Sequence, residues 1–155
     1  MLVGVFVDTS NLYYCINKKW EGRKLDYEKY LEHILLLEQG EVSTLQAFGL
    51  QLNKSAKSFI TNLKFLNFDT FFTELPEKTN VYFQWDAGIT ARIISSKVDT
   101  VILGSTSRNL VPAIEVMRSI GLRIVIFAAG IPRTINDVAS RCVEIPESCL
   151  IPNEI

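Results

Sequence analysis

An apolar run that ends on a carboxylate constrains this chain more than any other stretch. Val3-Gly4-Val5-Phe6-Val7 leads into Asp8, then Thr9-Ser10-Asn11, then a second apolar run from Leu12 to Ile16. The run shows no in-and-out alternation, so both of its faces must be covered. That is the habit of a central strand in a parallel sheet with helices above and below. Two later runs read the same way, "DTVILGS" from Asp99 and "LRIVIFAA" from Leu122.

Helical patterns fill the intervals. Leu12 to Trp20 is one. In "DYEKYLEHILLLEQG", Tyr27, Tyr30, Leu31, Ile34 and Leu35 recur at helical spacing and Gly40 is the stop. "VSTLQAFGL" predicts a strand. "KSAKSFITNLKFL" predicts a helix with Ala56, Phe59, Ile60, Leu63 and Leu66 on one face. "DTFFTEL" and "NVYFQW" read as strands on either side of a "PEKTN" turn, and "AGITARIISSK" reads as the helix that follows. "LVPAIEVMRSIG" predicts a helix with Leu110, Ile114, Met117 and Ile120 facing inward. "RTINDVASR" reads as a short helix and "CVEIP" as a last short strand.

Strands alternating with helices imply an α/β fold, with a doubly wound, mostly parallel sheet sandwiched between helices in three layers. A length of 155 residues suits one domain spanning 1–155. No apolar run approaches the ~18 residues of a membrane span. Val3 to Val7 is too short for the core of a signal peptide and has no basic segment before it. Cys15, Cys142 and Cys149 are an odd set without C-x-x-C spacing, which predicts reduced thiols and a cytoplasmic setting. His33 has no partner histidine and reads as a partly exposed helix residue. The net charge of −1 supplies no general basic field. A nucleic-acid partner would therefore need a local patch, and Lys18, Lys19, Arg23 and Lys24 around Trp20 are the candidate.

In doubly wound sheets, ligands bind beyond the carboxyl ends of the strands. Three polar groups are expected there: Asp8 with Asn11, Asp86 after "YFQW", and Ser105-Thr106-Ser107-Arg108-Asn109 after "VILG". Each also suits a helix N-cap, Asn109 especially because Pro112 belongs in a first turn. Asp8 and Asp86 together point to a shared acidic site.

These residues resemble the NYN branch of the PIN-like nucleases, the group that includes LabA-like proteins. "VFVDTSNLYY" is similar to the family's opening apolar-D-G-x-N-L motif, and "KLDYEKYLEHIL" to its second helix. "QAFGL" resembles its second strand. "FQWDAGITARII" occupies the place of its Lys-Gly-Val-Asp motif. "DTVILGSTSRNLVPAIEVMRSIGLRIVIFA" resembles its Ser-Gly-Asp-x-Asp-Phe segment. The resemblance implies a Rossmann-like fold, RNA as partner, and cleavage dependent on Mg²⁺ or Mn²⁺, with a homodimer compatible. It assigns Asp8 and Asp86 to the metal and Asp8, Asp86 and Asn109 to catalysis. Asn11, Ser105, Thr106, Ser107, Arg108 and Arg92 would contact phosphate, and Lys18, Lys19, Arg23 and Lys24 the RNA backbone. The acidic motif is degenerate. Ser107-Arg108-Asn109 stands where the family has Asp-x-Asp, Arg92 where it has a further acid, and Thr9 and Thr106 where it has glycines. The alternative on the same scaffold is an inactive RNA- or protein-binding module.

Overall fold

The structure, a computed structural model, describes residues 1–50, 56–73 and 81–152, with the side chains of 81–85 left aside. Six strands form one sheet: β1 (Leu2–Asp8), β2 (Glu41–Leu50), β3 (Asp69–Thr73), β4 (Thr100–Gly104), β5 (Arg123–Ala128) and β6 (Arg141–Glu144). Their order is β3-β2-β1-β4-β5-β6, and every neighbouring pair is parallel. The helices are α1 (Thr9–Lys19), α2 (Tyr27–Leu37), α3 (Ala56–Phe65), α4 (Val81–Ser95), α5 (Val111–Ser119) and α6 (Arg133–Asn136).

The unalternating runs behave as their composition requires. Val3, Val5, Phe6 and Val7 of β1 are buried, as are Val101 to Leu103 of β4 and Ile124 to Ala128 of β5. Burying each such aliphatic side chain is worth ~1.5–3 kcal/mol, so these strands carry the core. The winding reverses between β1 and β4, where Val7 pairs with Gly104. That reversal opens a crevice at the carboxyl ends of the two strands.

Side-chain caps set two helix starts. Asp8 accepts the Asn11 N–H at 3.0 Å, and Asp26 accepts the Glu28 and Lys29 N–H groups. In α2, Tyr30 is fully buried, donates its hydroxyl to the Phe127 carbonyl at 2.8 Å and stacks on the Phe127 ring. Its hydroxyl also fills the space a side chain at Gly104 would need.

The structure departs from the sequence reading in a few places. "VYFQW" is the head of α4 rather than a strand. Leu35 and Ile120 point to solvent instead of the core. His33, by contrast, is the partly exposed helix residue expected, and its ring stacks on Phe127. The "PEKTN" turn, the end of "DTFFTEL" and the first residues of "KSAKSFITNLKFL" lie outside the described residues. Among the described residues, no helix is long and apolar enough to cross a membrane.

Candidate acidic site at the crossover

Asp8 is the last residue of β1, and strand alternation places it on the face of Gly4 and Phe6. It is only 4% exposed. Asp86 arrives by another route. It lies inside α4, in register with Ile89 and Ile93, which are 1% exposed. Positions i, i+3 and i+7 form one helical stripe, so Asp86 shares the core-facing side of the helix and is 6% exposed. The expectation of Asp86 at a strand end, capping the next helix, is therefore corrected: it sits more than a turn into α4.

The two carboxylates line one cavity of about 280 Å³ with Ser10, Asn11, Tyr14 and Ser107. Burial pushes Asp8 up to about 7, the charge of Asp86 adds to the rise, and the backbone N–H groups of Asn11 and Ser10 pull it back. Asp86 is also raised by burial, against opposing hydrogen bonds from the Ser107 and Asn109 side chains. Ser107 Oγ donates to Asp86 Oδ2 at 2.9 Å.

A second network closes the floor of the crevice. Asn11 Oδ1 accepts from the Thr106 N–H at 2.9 Å and from the Thr106 hydroxyl at 3.1 Å, and Cys15 Sγ lies 3.2 Å from that hydroxyl. Asn11 thus ties the start of α1 to the turn after β4 and caps nothing on Asp8 through its side chain. Ser105 is fully buried and accepts the Ser107 N–H. Thr9 donates to the Phe48 carbonyl at 2.8 Å, while Ser10 accepts the Leu50 N–H. The extra hydroxyls after Asp8 therefore bolt α1 to β2.

Asn109 lies exposed in the 3-10 turn Arg108–Leu110 with its side chain reaching Asp86. The residue at the N-cap of α5 is Leu110, so Asn109 does not cap that helix. Not all the other expected residues join it. Pro112 does occupy the first turn of α5. Arg108 is exposed in the same turn. Arg92 lies away from the crevice, its guanidinium 3.6 Å from the Phe71 ring centre, bordering a different cavity. Six residues past Asp86 a helix has turned ~240°, which faces Arg92 elsewhere. Lys18 and Lys19 close α1, ~15 Å along the helix from Asp8, and Arg23 and Lys24 lie in the segment after it. Lys19 pairs with Glu144 at 3.6 Å, and Arg23 with Glu147 at 3.1 Å. The structure does not bring this patch to the crevice.

Sequence reasoning missed Ser10 and Tyr14 as lining residues. Their signal was position: both lie within two turns of Asp8 on α1. The donor set is hard oxygen, and among the described residues no Lys or Arg lines the cavity. Two buried carboxylates that resist ionisation without a cation suit one Mg²⁺ or Mn²⁺ completed by water. Among the described residues, no group of three or more His, Cys, Asp or Glu forms.

The fold and crevice define a class: a three-layer, doubly wound α/β protein with paired carboxylates at the crossover. The sequence model of the NYN domain matches residues 2–146, and the chain belongs to that family, within the PIN-like nuclease superfamily. The fold matches the crystal structure of a protein of unknown function from Vibrio parahaemolyticus, with a TM-score of 0.78 at 19% identity. The match covers 97% of this chain and 96% of that one. No curated protein matches the sequence.

Proposed function

We propose that this protein is a metal-dependent ribonuclease of the NYN type, working with a reduced acidic site. One observation carries the reading: Asp8 and Asp86, from separate elements, are buried together in one cavity with no cationic side chain lining it among the described residues. A structural core has little use for such a pair, because each buried charge raises the cost of the other. A divalent cation relieves both.

Asp8 and Asp86 are the residues that would hold Mg²⁺ or Mn²⁺, which when bound supplies charge for the scissile phosphate and an activated water. The chain's own groups then have separate tasks. Asp8, pushed up to about 7, is close to half-protonated at neutral pH, and a bound cation would favour its ionised form. Ser107 holds the Asp86 carboxylate in place. Asn11 fixes the Thr106 turn, and the exposed Arg108 and Asn109 lie in the 3-10 turn beyond it, available to a phosphate. RNA is the partner on this reading.

The second reading, an inactive RNA-binding module, rests on the same turn. Ser107 satisfies Asp86 internally where the family places an acid. The test is Mn²⁺ titration followed by calorimetry, with cleavage of a single-stranded RNA, on the parent and on Asp8→Asn. Light scattering on the same samples reads whether the chain is a homodimer. Metal-dependent cleavage lost in Asp8→Asn is the expected result. RNA binding with neither Mn²⁺ affinity nor cleavage makes the binding module correct.

A further inference from the structure

A second cavity, about 540 Å³, opens on the other side of α4. Its lining includes Ser43, Thr44, Gln46, Asn67, Asp69 and Arg92. We propose that it is a nucleobase subsite, in which a base of a single-stranded RNA stacks on Arg92 and is read along its edge by β2. The source of the base rests on the ribonuclease reading, and the pocket chemistry does not.

Three independent features support it. First, β3 pairs only with Gln46 to Leu50, so Glu41 to Leu45 have no strand beside them on that edge among the described residues. Their outward backbone groups border the cavity with hydrogen-bonding capacity unspent. Second, Gln46 Oε1 is buried without a hydrogen-bond partner among the described residues. A buried acceptor left alone costs ~1–3 kcal/mol. A turn of the side chain into the cavity it lines brings that oxygen to a base's N–H donor. Third, the Arg92 guanidinium carbon sits 3.6 Å from the Phe71 ring centre, a contact that restrains it, while the side chain stays exposed to solvent. A guanidinium plane is a stacking platform for an unpaired base.

The edge also says what does not fit. Val3 pairs with Val42 and Gly4 with Thr44, so Ser43 is an extra residue that bulges β2. A bulge interrupts the ladder and blunts an edge against an added strand. A compact, planar ligand with donors and acceptors on its rim needs no continuous ladder. Arg92 follows Asp86 by six residues on α4, ~9 Å along the axis. One strand spans that in a few nucleotides at ~3.4 Å each.

The experiment uses the full chain in EDTA with the four 5′-mononucleotides, followed by amide chemical shifts. Shifts at Ser43 to Gln46 and at Ser95, weakened about tenfold in Arg92→Ala, are expected. Arg92→Lys separates stacking from charge: failure to restore affinity supports the stack, and full restoration overturns it. With cleavable RNA, Arg92→Ala should raise KM about tenfold and leave kcat unchanged. No shifts, or shifts confined to the Asp8 crevice, overturn the subsite. Mononucleotide binding here without RNA cleavage retains the subsite and removes the ribonuclease reading. Cleavage with an unchanged KM in Arg92→Ala does the reverse.

Discussion

The ends of β1 and β4 lie side by side, in parallel and in register, yet they solve the problem of a buried polar terminus in opposite ways. At the end of β1, Asp8 stays a carboxylate, caps α1 and is pushed up to about 7. At the end of β4, hydroxyls and backbone amides close on one another and on their neighbours. Thr106 binds Asn11, Ser107 binds Asp86, and Ser105 takes the Ser107 N–H. One strand end stores unsatisfied charge and the other disperses it. The β4 turn thereby supplies a hydroxyl that donates to Asp86.

The largest effect should come from adding bulk where the two strand ends meet. A Cβ at Gly104 would lie 2.8 Å from Tyr30 Oη and 3.0 Å from Val7 Cγ1. Overpacking at this contact should cost Gly104→Val ~3 kcal/mol in urea denaturation. A loss under ~1 kcal/mol would mean the β4 end is not held by this contact. Next comes the stored charge. The folded value for Asp8, about 7, lies above that of an unfolded carboxylate, ~4. Such a group favours folding fully below ~4, and that contribution is lost as pH rises through about 7. Asn caps as well as Asp but carries no charge. Asp8→Asn should therefore stabilise the metal-free protein by a few kcal/mol at pH 8, where the shift is fully expressed, and by almost nothing at pH 4. Equal stability at both pH values would show that the β1 end stores no charge cost.

Most of the β1 and β4 ends could be read from the chain. Runs without alternation cannot lie at an open face, so Val3 to Val7 and Val101 to Leu103 had to be central and parallel neighbours. Asp8 followed as a strand-end cap. What sequence pattern misjudged was α4. Val81, Tyr82, Phe83 and Trp85 all favour strands, and tertiary packing overrode them. The correct signal was the Asp86, Ile89, Ile93 spacing, which is helical and puts the carboxylate on a buried stripe. The same helical rotation carried Arg92 away from the crevice to Phe71. The basic patch does not line the cavity, because α1 carries Lys18 and Lys19 to its far end from Asp8. Asn109 was misread only as a cap, because a 3-10 turn delays the start of α5 to Val111, while its side chain does reach Asp86.

Returning an acid to the β4 turn makes the two ends alike. Ser107→Asp removes the donor to Asp86 and sets a third carboxylate beside two that already resist ionisation. Without metal it should lose ~1–2 kcal/mol at pH 8. Saturating Mn²⁺ should then restore more stability than it does in the parent, because metal binding to the folded state adds in proportion to affinity. Equal Mn²⁺ stabilisation of both proteins would show that position 107 does not face the cation.

The smallest change is the sharpest test of the contrast. Ser107→Ala deletes the hydroxyl that donates to Asp86 Oδ2 at 2.9 Å and leaves the Ser107 N–H to Ser105 intact. That hydroxyl favours the ionised carboxylate, since it lowers Asp86 against the rise from burial. Its loss should cost ~1 kcal/mol where Asp86 is ionised. The cost should shrink as pH falls through the Asp86 value, because a protonated carboxyl no longer needs the donor. The two ends then respond to pH with opposite signs: Asp8→Asn gains stability in base, and Ser107→Ala loses it there. In Asp86→Asn, where no charge is left to stabilise, the Ser107→Ala cost should fall away at every pH. Urea denaturation in EDTA at pH 5 and pH 8, on the two single variants and the double, reads all of this. A Ser107→Ala loss that is the same at both pH values, or that survives in the double variant, would place the hydroxyl's work on the turn itself and not on the acid.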